Sequence, residues 1–149
     1  KSRPMWQVTA SDLSADALVL AKDNAKLNRV DISFVLADVF ENVSGCFDII
    51  VSNPPYISEN DKDEVGLNVL TSEPKMALFA DEDGLAIYRQ ILEDADKYLN
   101  PQGKLYFEIG YKQGEDLRKL LSLHFPDKHV RVLKDQFGQD RMVVMDDGK

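Results

Sequence analysis

Short apolar runs and stretches with helical spacing alternate along the chain. The apolar runs are rich in β-branched and aromatic residues and predict strands, at residues 5–10, 32–36, 47–52, 104–109, 130–133 and 141–145. Apolar positions that recur every three or four residues predict helices, at residues 14–27, 85–99 and 113–123. Ser14 is the expected N-cap of the first helix. Because helices between strands usually form right-handed crossovers, the pattern predicts an α/β fold with a parallel sheet.

Four segments refine this prediction. Residues 49–51 form an apolar run without polar alternation, which is typical of a parallel strand covered on both faces. Residues 134–140 join the last two strands, and this link is too short for a helical crossover, so the two strands should form an antiparallel hairpin. The turn sequence at residues 100–103 should end the second helix. Residues 59–83 are acidic and weakly periodic, and a loop of that length is often functional.

The composition indicates one soluble, acidic globular domain. The chain has 149 residues, 44% of them hydrophobic, and a formal net charge of -8. Its apolar runs fall far short of the ~20 residues that span a bilayer, and no secretory signal pattern opens the chain. The single Cys46 excludes an internal disulfide framework, suits a reducing cytoplasm and is expected to be a buried small residue. Because Cys46, His124 and His129 are scattered, we predict no metal site.

The negative charge is concentrated in the middle of the chain. Between residues 38 and 96 there are 14 Asp or Glu residues against 3 Lys or Arg residues. A protein that binds a nucleic-acid backbone needs the opposite charge, so we expect no direct nucleic-acid substrate. Two interpretations stay open: the acidic residues only keep the domain soluble, or they attract a basic partner.

The segment Asn53-Pro54-Pro55-Tyr56 carries the strongest chemical signal, because it follows directly after the predicted strand 47–52. Ligands of open parallel sheets bind beyond the carboxyl ends of the strands. The two prolines offer no N–H donors, which leaves the Asn53 side-chain oxygen and the Pro54 carbonyl as acceptors for an NH2 group. Tyr56 adds a flat face for a planar group. The alternative is a simple turn in which Asn53 is a local cap.

Two acidic residues follow other predicted strands. Asp12 ends the first one, and a carboxylate at such a position commonly accepts the ribose hydroxyls of a nucleotide; its alternative role is at the entry of the following helix. Asp38 follows the second strand and is a candidate acceptor for an adenine amine, with Val39 or Phe40 beside the ring. Its alternative is an ordinary loop-start Asp.

Three further residues are weaker candidates for the site. Glu73 and Pro74 lie in the acidic segment, and Glu108 lies at the end of a predicted strand. None of the three has a partner at a diagnostic spacing, so they are second to the strand-end residues.

Six segments together resemble the HemK/PrmC family, the release factor glutamine methyltransferases. They lie in order along nearly the whole chain, at residues 8–17, 38–40, 47–57, 73–74, 83–85 and 108–114. The Asn-Pro-Pro-Tyr sequence by itself also occurs in DNA adenine and rRNA methyltransferases. The specificity of the resemblance therefore depends on the accompanying segments, above all on residues 108–114.

The resemblance implies methyl transfer from S-adenosylmethionine to the side-chain amide of the glutamine in the Gly-Gly-Gln motif of peptide chain release factors. In this interpretation Asn53 and Pro54 hold the substrate amide, Pro55 fixes the turn and Tyr56 packs on the amide. The nitrogen then attacks the sulfonium methyl group, and positioning rather than a strong base accelerates the reaction. The acidic middle of the chain fits a basic protein substrate better than a nucleic acid.

The resemblance also implies a Rossmann-like class I methyltransferase sheet and a set of cofactor-binding residues. Asp12, with Leu13 beside it, would bind the ribose of S-adenosylmethionine. Asp38 and Val39 would border the adenine, and Asn53 would lie beside the reactive methyl group.

Two features of that family are not found in residues 1–149. One is the glycine-rich loop after the first strand of the family's sheet, and the other is an N-terminal helical domain. The family's first strand lies between the strands that correspond to residues 5–10 and 47–52. We therefore expect the chain to be a partial catalytic domain whose unpaired strand edges would allow strand exchange or dimerisation.

Three alternatives to this function stay open from the sequence. The first is an amino-methyltransferase that acts on adenine or guanine of a nucleic acid. The second is methylation of a glutamine in another protein. The third is an inactive fragment that keeps only the fold.

Overall fold

The computed structural model describes residues 2–57, 74, 77–80 and 84–148. The chain divides into two compact units, Lys1–Gly45 and Cys46–Lys149. Most of the acidic segment 59–83 lies outside the described residues, so the prediction of an irregular loop there is not tested.

The first unit is a two-stranded parallel sheet with one helix. Its elements are β1 (Thr9–Asp12), α1 (Ala15–Asn28) and β2 (Ser33–Leu36). Ser14 caps α1 as predicted, because its hydroxyl accepts a hydrogen bond from the Ala17 N–H at 3.2 Å. The helix ends at Arg29, which has a left-handed φ of 54° and donates its N–H to carbonyls of the last turn.

The predicted strand at residues 5–10 was wrong in its bounds. The strand covers Thr9–Asp12 because its partner β2 begins at Ser33, whose N–H donates to the Val8 carbonyl at 2.9 Å. Met5 and Trp6 are 90% and 58% exposed. A strand needs a hydrogen-bonding neighbour along its whole length, and among the described residues β1 pairs only with the four residues of β2.

In the second unit, the described residues form a four-stranded mixed sheet and two helices. Its elements are β3 (Phe47–Ser52), α2 (Ala86–Tyr98), β4 (Leu99–Glu108), α3 (Gly114–His124), β5 (His129–Lys134) and β6 (Asp140–Asp146). The strand order is β3-β4-β6-β5. β3 and β4 are parallel, and β5 and β6 form the predicted antiparallel hairpin.

The prediction that β3 is covered on both faces was wrong for the described part of the chain. Val51 is 73% exposed and Ile49 is 37% exposed. Among the residues that the structure describes, β3 has a hydrogen-bonded neighbour on one side only, which is β4. Apolar composition predicts that a strand can be buried, but burial also requires a segment that packs on each face.

The second helix ends within one residue of its predicted end, but the predicted turn at residues 100–103 was wrong, because these residues belong to β4. α2 ends at Tyr98, and the ladder then pairs Phe47 with Leu99 and Ile49 with Lys104. β4 therefore advances five residues where β3 advances two. The extra residues form a bulge that accommodates the proline, which has no N–H for a regular ladder.

The core of the second unit lies where α2 and α3 pack on β4 and β6. The buried side chains are Tyr88, Ile91, Leu92, Ala95, Leu105, Phe107, Ile109, Leu117, Leu121, Val143, Val144 and Met145. The Tyr88 ring meets Phe107 edge to face, with ring centroids 5.2 Å apart. Its hydroxyl donates to the Glu108 carbonyl at 2.6 Å. Burial, followed by the nearby Tyr56 and Glu108, raises the pKa of Tyr88, so the hydroxyl remains a donor.

Replacing Tyr88 with Phe should lower the free energy of unfolding by about 1–2 kcal/mol, because the Glu108 carbonyl then loses its donor in a partly buried place. Unfolding in urea measures this change. Tyr106→Phe is the matched control, since it removes a hydroxyl from a half-buried tyrosine of β4, the strand that contains Glu108. An equal loss in both variants would contradict the role of the Tyr88 hydroxyl.

The raised pKa of Tyr88 also predicts a loss of stability at alkaline pH. The unfolded chain releases the Tyr88 proton near pH ~10, whereas the folded chain retains it. The stability from this group is therefore complete below pH ~10 and decreases as the pH rises further. Urea unfolding between pH 9 and pH 11, roughly one unit on either side of the unfolded pKa, measures this effect. The free energy of unfolding should decrease more steeply with pH for the wild-type chain and for Tyr106→Phe than for Tyr88→Phe. Identical slopes would refute the assignment.

Candidate active site

The carboxyl ends of β3 and β4 lie side by side in the second unit. Their parallel register pairs Ser52 with Phe107, so the chain leaves both strands at the same edge of the sheet. β6 is antiparallel to β4 and pairs Met142 with Glu108, which brings its beginning to that edge as well. Ligands of open α/β sheets bind at this edge.

The Asn-Pro-Pro-Tyr turn follows directly after β3. Asn53 is exposed, Pro54 is buried, and Pro55 and Tyr56 are half-buried. The prolines have fixed φ angles and no N–H groups, so the turn presents acceptors rather than donors. The exposed Asn53 side chain is accessible as an acceptor, while the buried Pro54 holds the backbone beside it in place.

The turn is connected to the end of β4 through Gln113. The Gln113 side chain donates through Nε2 to the Tyr56 carbonyl at 2.9 Å, and its Oε1 accepts from the Gly110 N–H at 2.9 Å. A Cβ at Gly84 would collide with the same Tyr56 carbonyl oxygen. Gly84, two residues before α2, and the residues after β4 therefore meet the turn from two directions.

Gln113 was not predicted to be a site residue, although residues 108–114 contribute most to the family resemblance. This glutamine is 8% exposed, and its partner Tyr56 is 57 positions away in the chain. The polar Gln113 between two glycine-containing turns was the signal that could have directed attention to it. Only the fold reveals which backbone groups a buried amide meets.

Asp12, which was predicted to follow directly after the first strand, is the last residue of β1 and is exposed. Its Oδ1 accepts a hydrogen bond from the Ser14 N–H at 2.8 Å. The alternative role of Asp12 at the entry of α1 is therefore present in the structure. A carboxylate has further acceptor sites, so this bond does not prevent a second role in ligand binding. Leu13, which is 57% exposed, lies next to it.

Asp38 and Val39 follow shortly after β2. Asp38 is exposed and Val39 is half-buried. Val39 has a φ of 51°, in the left-handed region that β-branched residues rarely adopt. Such a conformation costs about 1–3 kcal/mol and is found most often at functional sites. The strained residue is one of those that the resemblance assigns to the cofactor.

Each candidate group lies at the carboxyl edge of its own sheet. In the first unit, the register pairs Asp12 with Leu36, and the Ala37 N–H donates to the Asp12 carbonyl at 3.0 Å. Asp38, the next residue, therefore lies near Asp12. In the second unit, Asn53 and Tyr56 lie beside the loop after β4. The assignment of these residues to a cofactor and a substrate stays a prediction.

The weaker candidates have different outcomes. Glu73 lies outside the described residues, and Pro74 is exposed, with its carbonyl accepting from the Ala77 N–H at 2.9 Å. The Glu108 carbonyl is bound by Tyr88. Cys46, which we expected to be buried because it is small and apolar, is exposed. It precedes the edge strand β3, whose outer side carries no hydrogen-bonded neighbour among the described residues.

No group of three His, Cys, Asp or Glu side chains in the described ranges lies close enough to hold a metal ion. No helix within those ranges is both long and apolar enough to cross a membrane.

The sequence is similar to bacterial release factor glutamine methyltransferases. It is 61% identical over its whole length to the release factor glutamine methyltransferase of Streptococcus pneumoniae, and it covers 53% of that protein. The enzyme of the same name from Lactococcus lactis is 45% identical over 96% of the chain, which again covers 53% of the relative. The chain thus spans about half the length of these relatives.

Solved structures with the same fold are more distant in sequence. A ribosomal protein L11 methylase from Lactobacillus delbrueckii subsp. bulgaricus aligns with a TM-score of 0.63 and 23% identity, over 93% of this chain and 56% of that one. A Thermus thermophilus 16S rRNA N2 G1207 methyltransferase, in complex with AdoMet and guanosine, aligns with a TM-score of 0.60 and 16% identity, over 94% and 31% of the two chains. These similarities confirm the predicted Rossmann-like class I methyltransferase fold.

The Methyltransferase small domain family matches residues 1–81, which include β1, β2, β3 and the Asn-Pro-Pro-Tyr turn. This match covers more than half of the chain, and the resemblance to release factor glutamine methyltransferases is confirmed by the named relatives. On the strength of its sequence, its fold and the turn at the end of β3, the chain belongs to the Methyltransferase small domain family.

Proposed function

We propose that the protein methylates peptide chain release factors with S-adenosylmethionine as the methyl donor. The acceptor is the side-chain amide nitrogen (N5) of the glutamine in their Gly-Gly-Gln motif. The observation that carries the proposal is the exposed Asn53 on a proline-fixed turn at the carboxyl end of β3. The names of the relatives, which are 61% and 45% identical, support a release factor as the substrate.

The acceptor pair on the turn suits the chemistry of an amide. An amide nitrogen is a poor nucleophile because its lone pair is delocalised into the carbonyl group. The Asn53 side-chain oxygen and the Pro54 carbonyl accept the two N–H groups of the substrate amide and so direct the nitrogen lone pair away from the turn. Tyr56 packs against the flat amide group. Orientation of this kind contributes to the rate without a strong base.

The residues of the first unit fit the polar and apolar parts of S-adenosylmethionine. This cofactor supplies a methyl group that is activated by a sulfonium charge. The exposed carboxylate of Asp12 can accept from ribose hydroxyls while Oδ1 keeps its bond to the Ser14 N–H. Leu13 offers exposed apolar surface, and Asp38 and Val39 at the adjacent strand end border the adenine.

Replacing Asn53 with Ala should reduce kcat for methylation of a release factor by about 100-fold or more, because the substrate amide loses one of its two positioning acceptors. Affinity for S-adenosylmethionine should change little. Transfer of labelled methyl to a release factor, with calorimetry for cofactor binding, measures both effects in the full-length protein. Asn24→Ala, on the exposed surface of α1, is the matched control.

The same assay separates the substrate classes. A release factor whose Gly-Gly-Gln glutamine is replaced should accept no label, and rRNA and DNA should accept none from the wild-type protein. Label in the nucleic acids, or undiminished turnover by Asn53→Ala, would overturn the proposed function.

Two substitutions at Asp12 separate its structural role from its proposed role in ribose binding. Asp12→Asn keeps an acceptor for the Ser14 N–H, so its unfolding free energy should stay within ~0.5 kcal/mol of wild type, whereas Asp12→Ala should lose about 1 kcal/mol. Both should weaken S-adenosylmethionine binding by ~10-fold or more, because hydrogen bonds to a charged acceptor are lost. Urea unfolding and calorimetry provide the measurements, with Asp31→Asn as an exposed control in the same unit. Wild-type affinity in Asp12→Asn would refute ribose binding by the carboxylate.

A further inference from the structure

Gln113 is a buried polar residue that lies between the Asn-Pro-Pro-Tyr turn and the loop after β4. Only 8% of its surface is exposed. Nε2 donates to the Tyr56 carbonyl and Oε1 accepts from the Gly110 N–H, each at 2.9 Å. One partner is an acceptor and the other is a donor, so only this orientation of the amide satisfies both. Gln113 immediately precedes α3 as its N-cap residue, but its side chain makes no capping hydrogen bond to that helix.

The Gln113 amide links the loop after β4 to the Asn-Pro-Pro-Tyr turn. On the β4 side, hydrogen bonds to the sheet hold this link in place. The Gln113 N–H donates to the Gly110 carbonyl at 3.0 Å, so Gly110 and Gln113 exchange a backbone and a side-chain hydrogen bond around a tight turn. The Ile109 N–H donates to the Arg141 carbonyl at 3.0 Å, and the Glu108 carbonyl accepts from the buried Tyr88 hydroxyl. The end of β4 is therefore a rigid anchor for the amide.

The other side of the link is a turn with few donors of its own. Pro54 and Pro55 have no N–H groups, so they cannot stabilise the turn by backbone donation. The Tyr56 carbonyl accepts from Gln113, and the next N–H, that of Ile57, donates to the Leu78 carbonyl at 3.0 Å. A side-chain donor from outside the turn thus restrains the residue that closes it.

Two glycines leave the space in which the amide and the turn approach each other. Gly84 has a φ of 79°, and a Cβ there would collide with the Tyr56 carbonyl and lie 2.6 Å from Gln113 Nε2. A Cβ at Gly110 would lie 3.1 Å from Gln113 Oε1 and 3.3 Å from the Tyr56 ring. Any larger residue at Gly84 would displace the amide or the turn. The close packing at the two glycines is a second restraint, separate from the hydrogen bonds of Gln113, on the Gln113 amide and the Tyr56 carbonyl.

We infer that Gln113 is a positioning residue for methyl transfer, because its amide fixes the Tyr56 carbonyl and thereby the turn that carries Asn53 and Pro54. This inference rests on the proposed function, in which Asn53 and Pro54 hold the substrate amide. When the amide of Gln113 is lost, the turn moves relative to β4, and the two acceptors no longer hold the nitrogen in line for attack. Loss of alignment lowers kcat more than it changes substrate or cofactor affinity.

Two substitutions test the two ends of the amide in the full-length protein. Gln113→Met keeps the length of the side chain and removes both hydrogen bonds. Gln113→Glu keeps an acceptor for the Gly110 N–H and, when ionised, has no donor for the Tyr56 carbonyl. Gln102→Met, at an exposed glutamine of β4, is the matched control.

Nuclear magnetic resonance of labelled protein reports each end separately and needs no substrate. The Tyr56 carbonyl resonance should shift in both Gln113 variants, and the Gly110 amide should lose its protection from hydrogen exchange only in Gln113→Met. Urea unfolding measures how much of each variant is folded under the assay conditions. The control should match wild type in all three measurements.

In the methyl transfer assay, both Gln113 variants should show a kcat lower by roughly 10- to 100-fold, with KM for the release factor and affinity for S-adenosylmethionine within about 3-fold of wild type. A folded variant with a shifted Tyr56 resonance and wild-type kcat would overturn the inference. So would a loss of kcat that only follows the unfolded fraction. If wild-type protein transfers no methyl to a release factor, the proposed function fails, and an unchanged Tyr56 resonance would separately refute the link between Gln113 and the turn.

Discussion

The parallel ladder between β3 and β4 is the constraint on which the rest of the candidate site depends. Parallel strands end at the same edge of a sheet, so the register that pairs Ser52 with Phe107 places the Asn-Pro-Pro-Tyr turn next to the loop after β4. The bulge at residues 100–103 sets this register, because β4 gains extra residues near its beginning. Without that offset, the end of β4 would not lie level with the turn. The position of the candidate site at this edge therefore depends on a backbone irregularity at the opposite end of the strands.

Burial in the second unit reinforces the same edge. Tyr88 packs its ring on Phe107 and places its hydroxyl on the Glu108 carbonyl, so one side chain joins α2 to the end of β4. α3 begins directly after Gln113, and its buried Leu117 and Leu121 hold it on the sheet. The buried side chains of α2 and α3 thus hold the edge of the sheet in place, while the polar groups at this edge remain accessible to a ligand. The outward residues Ile49 and Val51 of β3 are apolar but exposed in the described structure.

Specific residues mark how far the sequence predicted the structure. The bounds of β3 were predicted without error, since a compact apolar run ended by Asn-Pro-Pro is unambiguous. The cap at Ser14 and the final hairpin were also predicted correctly, because both depend on local spacing. The first strand was placed four residues too early at its start, because β2 supplies partners only as far as Thr9. Cys46 was expected to be buried, but its position beside an edge strand exposes it.

The sequence by itself determined the chemistry of the chain: an α/β pattern, three polar strand ends, and an Asn followed by two prolines that can present acceptors but no donors. These features are local, because side-chain type, proline geometry and hydrophobic period act over a few residues. The tertiary structure decided which groups meet. The amide of Gln113 finds the Tyr56 carbonyl 57 residues away, and Gly84 leaves room for that contact. Such pairings follow from strand register and helix packing, which depend on the sum of many distant contacts and which no local pattern specifies.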